Sequence, residues 1–264
     1  MNLGKALFVL PNLITLASIF CGFNAIRVVA QDNPSVDAFY RAAILLLCAM
    51  LFDLLDGRVA RMTRTQSAFG LQIDSLADIV SFGVAPSMLV YKWVLYRFPT
   101  PGLLTAFLFT ACGAIRLARF NVITGSSEGA QAKPSKYIVG LPIPPAAGIL
   151  ISLLVANHAV GGALGDERYT VTLFVVTIVL SLLMVSNIHF RSFKDLQLNF
   201  GTVFLVLFAI ASSAFVWQVT RPPFVLVWLI TFYIVIGLID AVRSLAQRAR
   251  HAARPPHTDD LAGS

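Results

Sequence analysis

Asp53-Leu54-Leu55-Asp56-Gly57-Arg58-Val59-Ala60-Arg61, followed after eight residues by Gly70-Leu71-Gln72-Ile73-Asp74-Ser75-Leu76-Ala77-Asp78, decides how this chain is read. The whole sequence has only 13 acidic residues, and four of them fall here. Asp53 and Asp56 are spaced i,i+3 and Asp74 and Asp78 i,i+4, so each pair lies on one face of a helix. The basic stretch Arg58–Ser67 between them is read as a loop that folds the two helices antiparallel. Four carboxylates that converge without matching cations must protonate or bind metal. Hard divalent cations such as Mg²⁺ or Mn²⁺ prefer carboxylate oxygens. Four carboxylates suit two such ions, and paired ions suit displacement at phosphorus. Gly57 leaves room for a ligand against the backbone. Ala60 is small and on the same side, Arg61 can grip a phosphate, and Gly70 allows close packing on the same ligand.

The surroundings of this stretch are those of a membrane protein. The chain has 264 residues, 57% of them hydrophobic and 12% charged, with a mean hydropathy of +0.78. Soluble domains carry about 25% charged residues, which argues against an ordinary soluble enzyme. Charge-free runs cover Ala6–Ile26, Leu196–Thr220 and Pro222–Ile239, and Tyr137–Ile188 is broken only at Asp166–Arg168. Ala42–Phe52, Ile79–Tyr91 and Phe98–Ile115 are shorter. At about 20 residues per crossing this gives about eight spans and leaves no room for a soluble domain. The expected fold is an all-α polytopic helical bundle. It forms one catalytic domain over residues 1–245, with a core at 8–190 and further helices at 196–245. A basic tail, expected to be disordered, occupies 246–264. The runs do not alternate in polarity, which excludes a membrane β-barrel. Cys21, Cys48 and Cys112 lie in apolar runs and read as small core residues. The first segment lacks a small-residue cleavage site and reads as a retained helix.

The net charge of +7 reads as topology rather than as affinity for nucleic acid. With the N-terminus in the cytoplasm, fourteen of the 20 basic residues fall on the inner side, in keeping with the positive-inside rule. Span 2 then ends in Asp53 and Asp56 on that side, span 3 begins with Asp74 and Asp78, and span 4 ends in Arg116 and Arg119. All these charges share one depth, so they are expected to line a polar cavity open to the cytoplasm. The plainer alternative is a structural ion-pair network with Arg58, Arg61 and Arg64. Such a network gives no reason for four carboxylates on two facing stripes with small residues between them.

The pattern D-x-x-D-G-x-x-A-R-x8-G-x3-D-x3-D resembles the signature of the CDP-alcohol phosphotransferases at every position. That family displaces CMP from a CDP-linked lipid or alcohol with a hydroxyl acceptor. The resemblance covers roughly residues 8–190 and implies the family's membrane fold, a homodimer, and roles for individual residues. Asp53, Asp56, Asp74 and Asp78 would be metal-site residues holding two Mg²⁺ or Mn²⁺ ions, with Asp78 also the general base. Gly57, Ala60, Arg61, Ser67 and Gly70 would contact CDP. Asn12 and Thr15, at the Pro11-Asn12-Leu13-Ile14-Thr15 entrance of span 1, would add a further CDP contact. The lipid donor would be CDP-diacylglycerol, its acyl chains staying among membrane lipids, in a protein of the bacterial inner membrane.

The acceptor is less defined. Val80–Pro86, Arg116–Asn121 and Gly140–Gly148 resemble the branch that transfers the phosphatidyl group to L-serine. Serine brings a carboxylate that needs a cation, and Arg116, Arg119 and Lys136 lie at the right depth. Glycerol-3-phosphate, inositol phosphate or choline remain alternatives, since a basic trio also suits phosphate. Two other classes fit less well. A membrane prenyltransferase would carry its aspartate motifs on distant helices. A divalent-cation transporter would want charges near mid-span and openings on both sides. Elsewhere, Gly140–Gly148 reads as a kinked, close-packed helix, and Asp240 and Arg243 read as an i,i+3 pair. His158 and His189 read as interface residues, and the Arg-rich tail as an anchor near anionic lipid.

Overall fold

A computed structural model describes residues 3–65, 67–125, 137–191, 212–213, 216, 218–219 and 223–252. Its helices are α1 (Leu3–Val29), α2 (Val36–Met62), α3 (Ala68–Asp78), α4 (Ala85–Trp93), α5 (Pro99–Gly125), α6 (Ile143–Ala159), α7 (Glu167–Val185) and α8 (Pro223–Ala252). Ser35 caps α2 by accepting from the Ala38 amide at 3.1 Å, and Ser67 caps α3 by accepting from the Gly70 amide at 3.0 Å. Each hydroxyl satisfies one of the amides a helix start leaves open. Among the described residues, 5 helical stretches are long and apolar enough to cross a membrane, and two shorter apolar helices, Ile143–Ala159 and Phe224–Gly237, join them.

The helices are longer than the charge-free runs. Ala42–Phe52 lies within a helix of 27 residues, and Phe98–Ile115, from its second residue on, within another of 27. The loop expected over Arg58–Ser67 is therefore corrected to a shorter one, because α2 continues to Met62. The helices run on through Asp53, Asp56, Arg116 and Arg119, because a helix end facing a polar cavity can carry charge without meeting lipid. A count of eight spans is not reached among the described residues. The expected span at Leu196–Thr220 lies almost wholly outside them, as do residues 253–264 and the side chains of Asp240 and Arg243; the start of the tail expected to be disordered, 246–252, is instead a continuation of α8.

One feature departs from an all-helical reading. Tyr137–Val139 (β1) pairs antiparallel with His189–Arg191 (β2), matching Ile138 to Phe190. These short strands lie at the feet of α6 and α7 and tie them together. Gly140 follows with φ +79, a left-handed conformation that glycine adopts without steric cost. Its amide donates to the Ile188 carbonyl at 2.7 Å. Gly140 thus belongs to a turn, and the helix expected over Gly140–Gly148 begins at Ile143. Pro144 and Pro145 occupy its first turn, where a missing N–H costs nothing.

The interior is built from small residues and a few large ones. Ala25, Ala42, Ala43, Ala49 and Ala85 are buried, and Leu46, Phe82, Phe109, Ile143 and Leu154 fill the space between them. Phe20, Phe23, Phe69 and Phe107 point outward and are more than half exposed. That distribution suits a lipid solvent, where close backbone approach rather than water exclusion holds helices together. A close backbone approach joins α1 to the segment after α3: a Cβ on Gly22 would lie 2.9 Å from Ser81 Cα. Cys21, Cys48 and Cys112 are free thiols within this packing.

Between α3 and α4 the chain forms a π-helical turn, Ile79–Val84, in which the Ala85 amide reaches back to the Val80 carbonyl. Such a turn holds one residue more than an α turn and is frequent at functional sites. Here it starts directly after Asp78. It is pinned from both sides. Ser81 Oγ donates to the Ser18 carbonyl at 3.0 Å, and Thr110 Oγ1 donates to the Gly83 carbonyl at 3.3 Å. Ser18 Oγ also donates to the Ala49 carbonyl of α2 at 3.2 Å, so three spans are tied just behind the acidic cluster.

Candidate active site

Alternating helix directions bring four helix segments to one end of the bundle: the start of α1, the end of α2, the start of α3 and the end of α5. Asp53 and Asp56 of α2 meet Asp74 of α3 there. One carboxylate oxygen from each lies within 4.8 Å of the others. Asp56 is buried, and Asp53 and Asp74 are half-buried. Thr15 of α1 donates to Asp56 Oδ2 at 2.6 Å and also approaches the Pro11 carbonyl at 3.1 Å. A carboxylate held this way presents its other oxygen in a fixed direction.

Asp78, one turn beyond Asp74, faces both Asp53 and Asp74. Its Oδ1 is buried and has no hydrogen-bond partner. Arg116 of α5 lies within electrostatic reach of Asp78. Its guanidinium stacks over the Phe120 ring at 5.7 Å, and its buried Nε also lacks a partner. Among the described residues no basic nitrogen comes within 4 Å of a carboxylate oxygen of Asp53, Asp56 or Asp78. An ion-pair network with Arg58, Arg61 and Arg64 is thus absent for those three acids, and the cluster keeps donor atoms open for a cation. The site fits divalent metal by its donors: three converging hard oxygens, one of them on the carboxylate that Thr15 holds, and a fourth carboxylate with a buried oxygen that has no hydrogen-bond partner.

Beside the cluster the small residues make a shallow cradle. A Cβ on Gly57 would meet Arg61 Nη1 at 3.5 Å, so the Arg61 side chain folds back over that glycine. A Cβ on Gly70 would meet Ser67 Oγ at 3.2 Å and Asn12 Oδ1 at 3.7 Å. Asn12, Ser67 and Gly70 thus come together at the mouth between α1 and α3. Ala60 lies half-buried on the same end of α2.

The basic residues divide. Arg116 points toward the acids. Arg119 instead reaches the end of α7, where it donates to the Asn187 Oδ1 at 3.2 Å and approaches the carbonyls of Ser186 at 3.4 Å and Val185 at 3.5 Å. A guanidinium there complements the exposed carbonyls of a helix C-terminus. Lys136 lies outside the described residues. One polar contact was not anticipated from the sequence. Asn121 Nδ2 donates to Ser75 Oγ at 3.0 Å, linking α5 to the residue between Asp74 and Asp78. At the other end of the bundle, His158 meets Asp37 at 3.1 Å and stacks on Tyr40 at 4.2 Å.

A family model for the CDP-alcohol phosphatidyltransferases matches residues 8–239. The chain belongs to that family. As a CDP-alcohol phosphatidyltransferase it is an enzyme embedded in the membrane, and the match runs past residue 190 into α8. Similar proteins include one from Helicobacter pylori, 38% identical over 88% of this chain and 91% of that protein. Another, from Mycobacterium tuberculosis, is 32% identical over 94% of this chain and 83% of its own length. A third, from Bacillus subtilis, is 36% identical over 70% of this chain and 91% of its own. All three bear the name CDP-diacylglycerol–serine O-phosphatidyltransferase.

The Thr15–Asp56 bond gives a first measurable consequence. Thr15→Val keeps the shape of the side chain and deletes the donor. The half-saturating Mn²⁺ concentration is expected to rise by about tenfold, the usual effect of losing a partner behind a metal ligand. A titration of activity against Mn²⁺ reads it, and an unchanged midpoint would remove the assignment of Asp56 as a ligand.

Proposed function

We propose that the protein transfers the phosphatidyl group of CDP-diacylglycerol to the hydroxyl of L-serine, giving phosphatidylserine and CMP. The observation that carries this reading is the convergence of Asp53, Asp56 and Asp74 within 4.8 Å, with Asp78 beside them. The names and coverage of the relatives supply the acceptor. Asp53, Asp56, Asp74 and Asp78 would hold two divalent cations, Mg²⁺ or Mn²⁺. When bound, such ions neutralise the pyrophosphate and polarise the phosphorus under attack.

The chain's own groups do the rest. Asn12, Ser67, Gly57, Ala60, Gly70 and Arg61 cradle the CDP moiety, with Arg61 on a phosphate. Asp78 accepts the proton of the serine hydroxyl as its oxygen attacks the lipid-side phosphorus. The P–O bond to CMP breaks, and CMP leaves with the bridging oxygen and its electron pair. Arg116 receives the serine carboxylate, whereas Arg119 is engaged at the end of α7. The site faces the cytoplasm of a bacterial inner membrane, where serine is available, and the acyl chains remain in the bilayer. The protein works as a homodimer.

Purified protein in mixed micelles with CDP-diacylglycerol and Mn²⁺, given one alcohol at a time, tests the acceptor. L-Serine should release CMP, and glycerol-3-phosphate, inositol phosphate and choline should leave it at background. Release with one of those three and none with serine sinks the serine reading.

A further inference from the structure

We propose that Asn121, near the end of α5, is a positioning residue for acceptor recognition: its bond to Ser75 of α3 holds the Arg116 guanidinium apart from Asp78, so that both stay open for a hydroxy acid. The inference rests on the reading of a hydroxy amino acid as acceptor and deepens it, because it names what sets the width of the acceptor's gap.

Asp78 Oδ1 is an acceptor and Arg116 Nε a donor; both are buried and neither has a hydrogen-bond partner. Buried polar atoms are nearly always satisfied, so two orphans of opposite character need a reason. A direct pair would satisfy both, and charge-assisted bonds between carboxylate and guanidinium are strong. Yet among the described residues no basic nitrogen lies within 4 Å of an Asp78 oxygen. Arg116 is only 9% exposed, so water does not provide the missing partner freely.

The two groups nevertheless stand at the same level. α5 runs antiparallel to α3 and to the π turn that continues it, and three contacts fix the register. Toward the mouth, Ser75 Oγ donates to the Leu71 carbonyl at 3.1 Å and accepts from Asn121 Nδ2 at 3.0 Å. The other amide atom, Asn121 Oδ1, lies 3.3 Å from the same hydroxyl. In the middle, Ile79 Cδ1 lies 3.7 Å from where a Cβ on Gly113 would stand. Deeper in the bundle, Thr110 Oγ1 lies 3.3 Å from the Gly83 carbonyl and 2.9 Å from Ser87 Oγ. Asp78 directly precedes Ile79, and Arg116 lies between Gly113 and Asn121. Both orphans therefore fall between the two polar contacts.

Those contacts act as rungs. Ser75, Asn121 and Thr110 are short side chains with few torsions, so each bond fixes the local spacing of α3 and α5. The inner part of the stretch is also filled by apolar side chains: the Cβ that Gly113 lacks would stand 2.5 Å from Ile143 Cδ1. Toward the mouth the spacing is held by Ser75 and Asn121. The Arg116 guanidinium lies along its own helix there, over the Phe120 ring at 5.7 Å.

One molecule satisfies both orphans. A short hydroxy acid donates its hydroxyl proton toward Asp78 Oδ1 and offers its carboxylate to Arg116 Nε. Sites with buried polar groups reject ligands that leave those groups unpaired. Without the outer rung α5 can move toward α3, and Arg116 and Asp78 close on each other. The carboxylate then loses its cation and the hydroxyl its base. Asn121 acts through Arg116 and leaves the reacting atoms alone.

The test uses the full chain in lipid nanodiscs with CDP-diacylglycerol and Mn²⁺, and reads kcat/KM for L-serine from CMP release. Asn121→Ala should lower it by about tenfold, the factor one net hydrogen bond carries. Affinities for Mn²⁺ and CDP-diacylglycerol, measured without turnover, should stay within about twofold, the usual error of additivity. Ser75→Ala should give the same loss, and Ser75→Thr, which keeps the hydroxyl, should retain wild-type activity. The double variant Ser75→Ala, Asn121→Ala should be no worse than either single one, as for two halves of one contact. In an Arg116→Gln background, adding Asn121→Ala should change nothing further, since a residue acting through another is silent once that other is gone. Losses that multiply with Arg116→Gln, or a Mn²⁺ affinity that falls in step with kcat/KM, would overturn the proposal. If the wild-type protein uses a different alcohol, the serine reading fails on its own. The same cycle, run on that alcohol, still decides the role of Asn121.

Discussion

Asp78→Asn is expected to lower the rate of CMP release with L-serine by about a thousandfold, within the range general bases contribute. Asparagine has the size and shape of aspartate and cannot take a proton at neutral pH. The site around it should survive the change. The three oxygens that converge most tightly belong to Asp53, Asp56 and Asp74, and the π turn after Asp78 is held by the Ser81 and Thr110 hydroxyls rather than by the carboxylate. Affinity for CDP-diacylglycerol should therefore stay within a few-fold of the wild type. Parallel measurement of turnover and of CDP-diacylglycerol binding separates the two effects. A variant with full turnover removes the base, and one that loses binding in step with turnover makes Asp78 a ligand only.

Asp56→Ala should be as severe for a different reason. Asp56 is 5% exposed, is fixed by Thr15, and supplies one of the three converging oxygens. Its removal leaves Asp53 and Asp74 with an incomplete set for a hard divalent ion. Activity should fall below detection at Mn²⁺ concentrations that saturate the wild type. Thr15→Val, which keeps the carboxylate, should be restored by more metal. The wild-type protein should likewise stop on chelation and resume on addition of Mn²⁺ or Mg²⁺. Binding of Mn²⁺ measured directly, without turnover, reads the same loss. Retention of wild-type Mn²⁺ affinity by Asp56→Ala would place the metal elsewhere.

Much of this site was legible in the residues. The i,i+3 and i,i+4 spacings needed only helix geometry to bring each acid pair to one face. The alternation of spans needed only hydropathy to bring both faces to one end. What was misread came from long-range packing. A charge-free run ending at Phe52 says nothing about a helix that continues to Met62, because the cost of a charge depends on what it faces. The pairing of Tyr137–Val139 with His189–Arg191 joins distant three-residue segments that carry no local strand pattern. The π turn after Asp78 exists because α1 and α5 grip it, and no residue within it announces an extra residue per turn. Arg119 was legible as a cation, but its use at the end of α7 depends on where α7 stops.

The account's central claim is that this acidic cluster drives exchange of CMP for serine on a lipid phosphate. It is tested most directly by supplying L-serine labelled in its carbon chain together with CDP-diacylglycerol and Mn²⁺. Label entering the lipid phase and CMP released to water are then counted in the same reaction. The account predicts one labelled serine in lipid for each CMP, and neither product from Asp78→Asn or after chelation. CMP released without serine entering lipid, or serine incorporated without dependence on the metal or on Asp78, would contradict it.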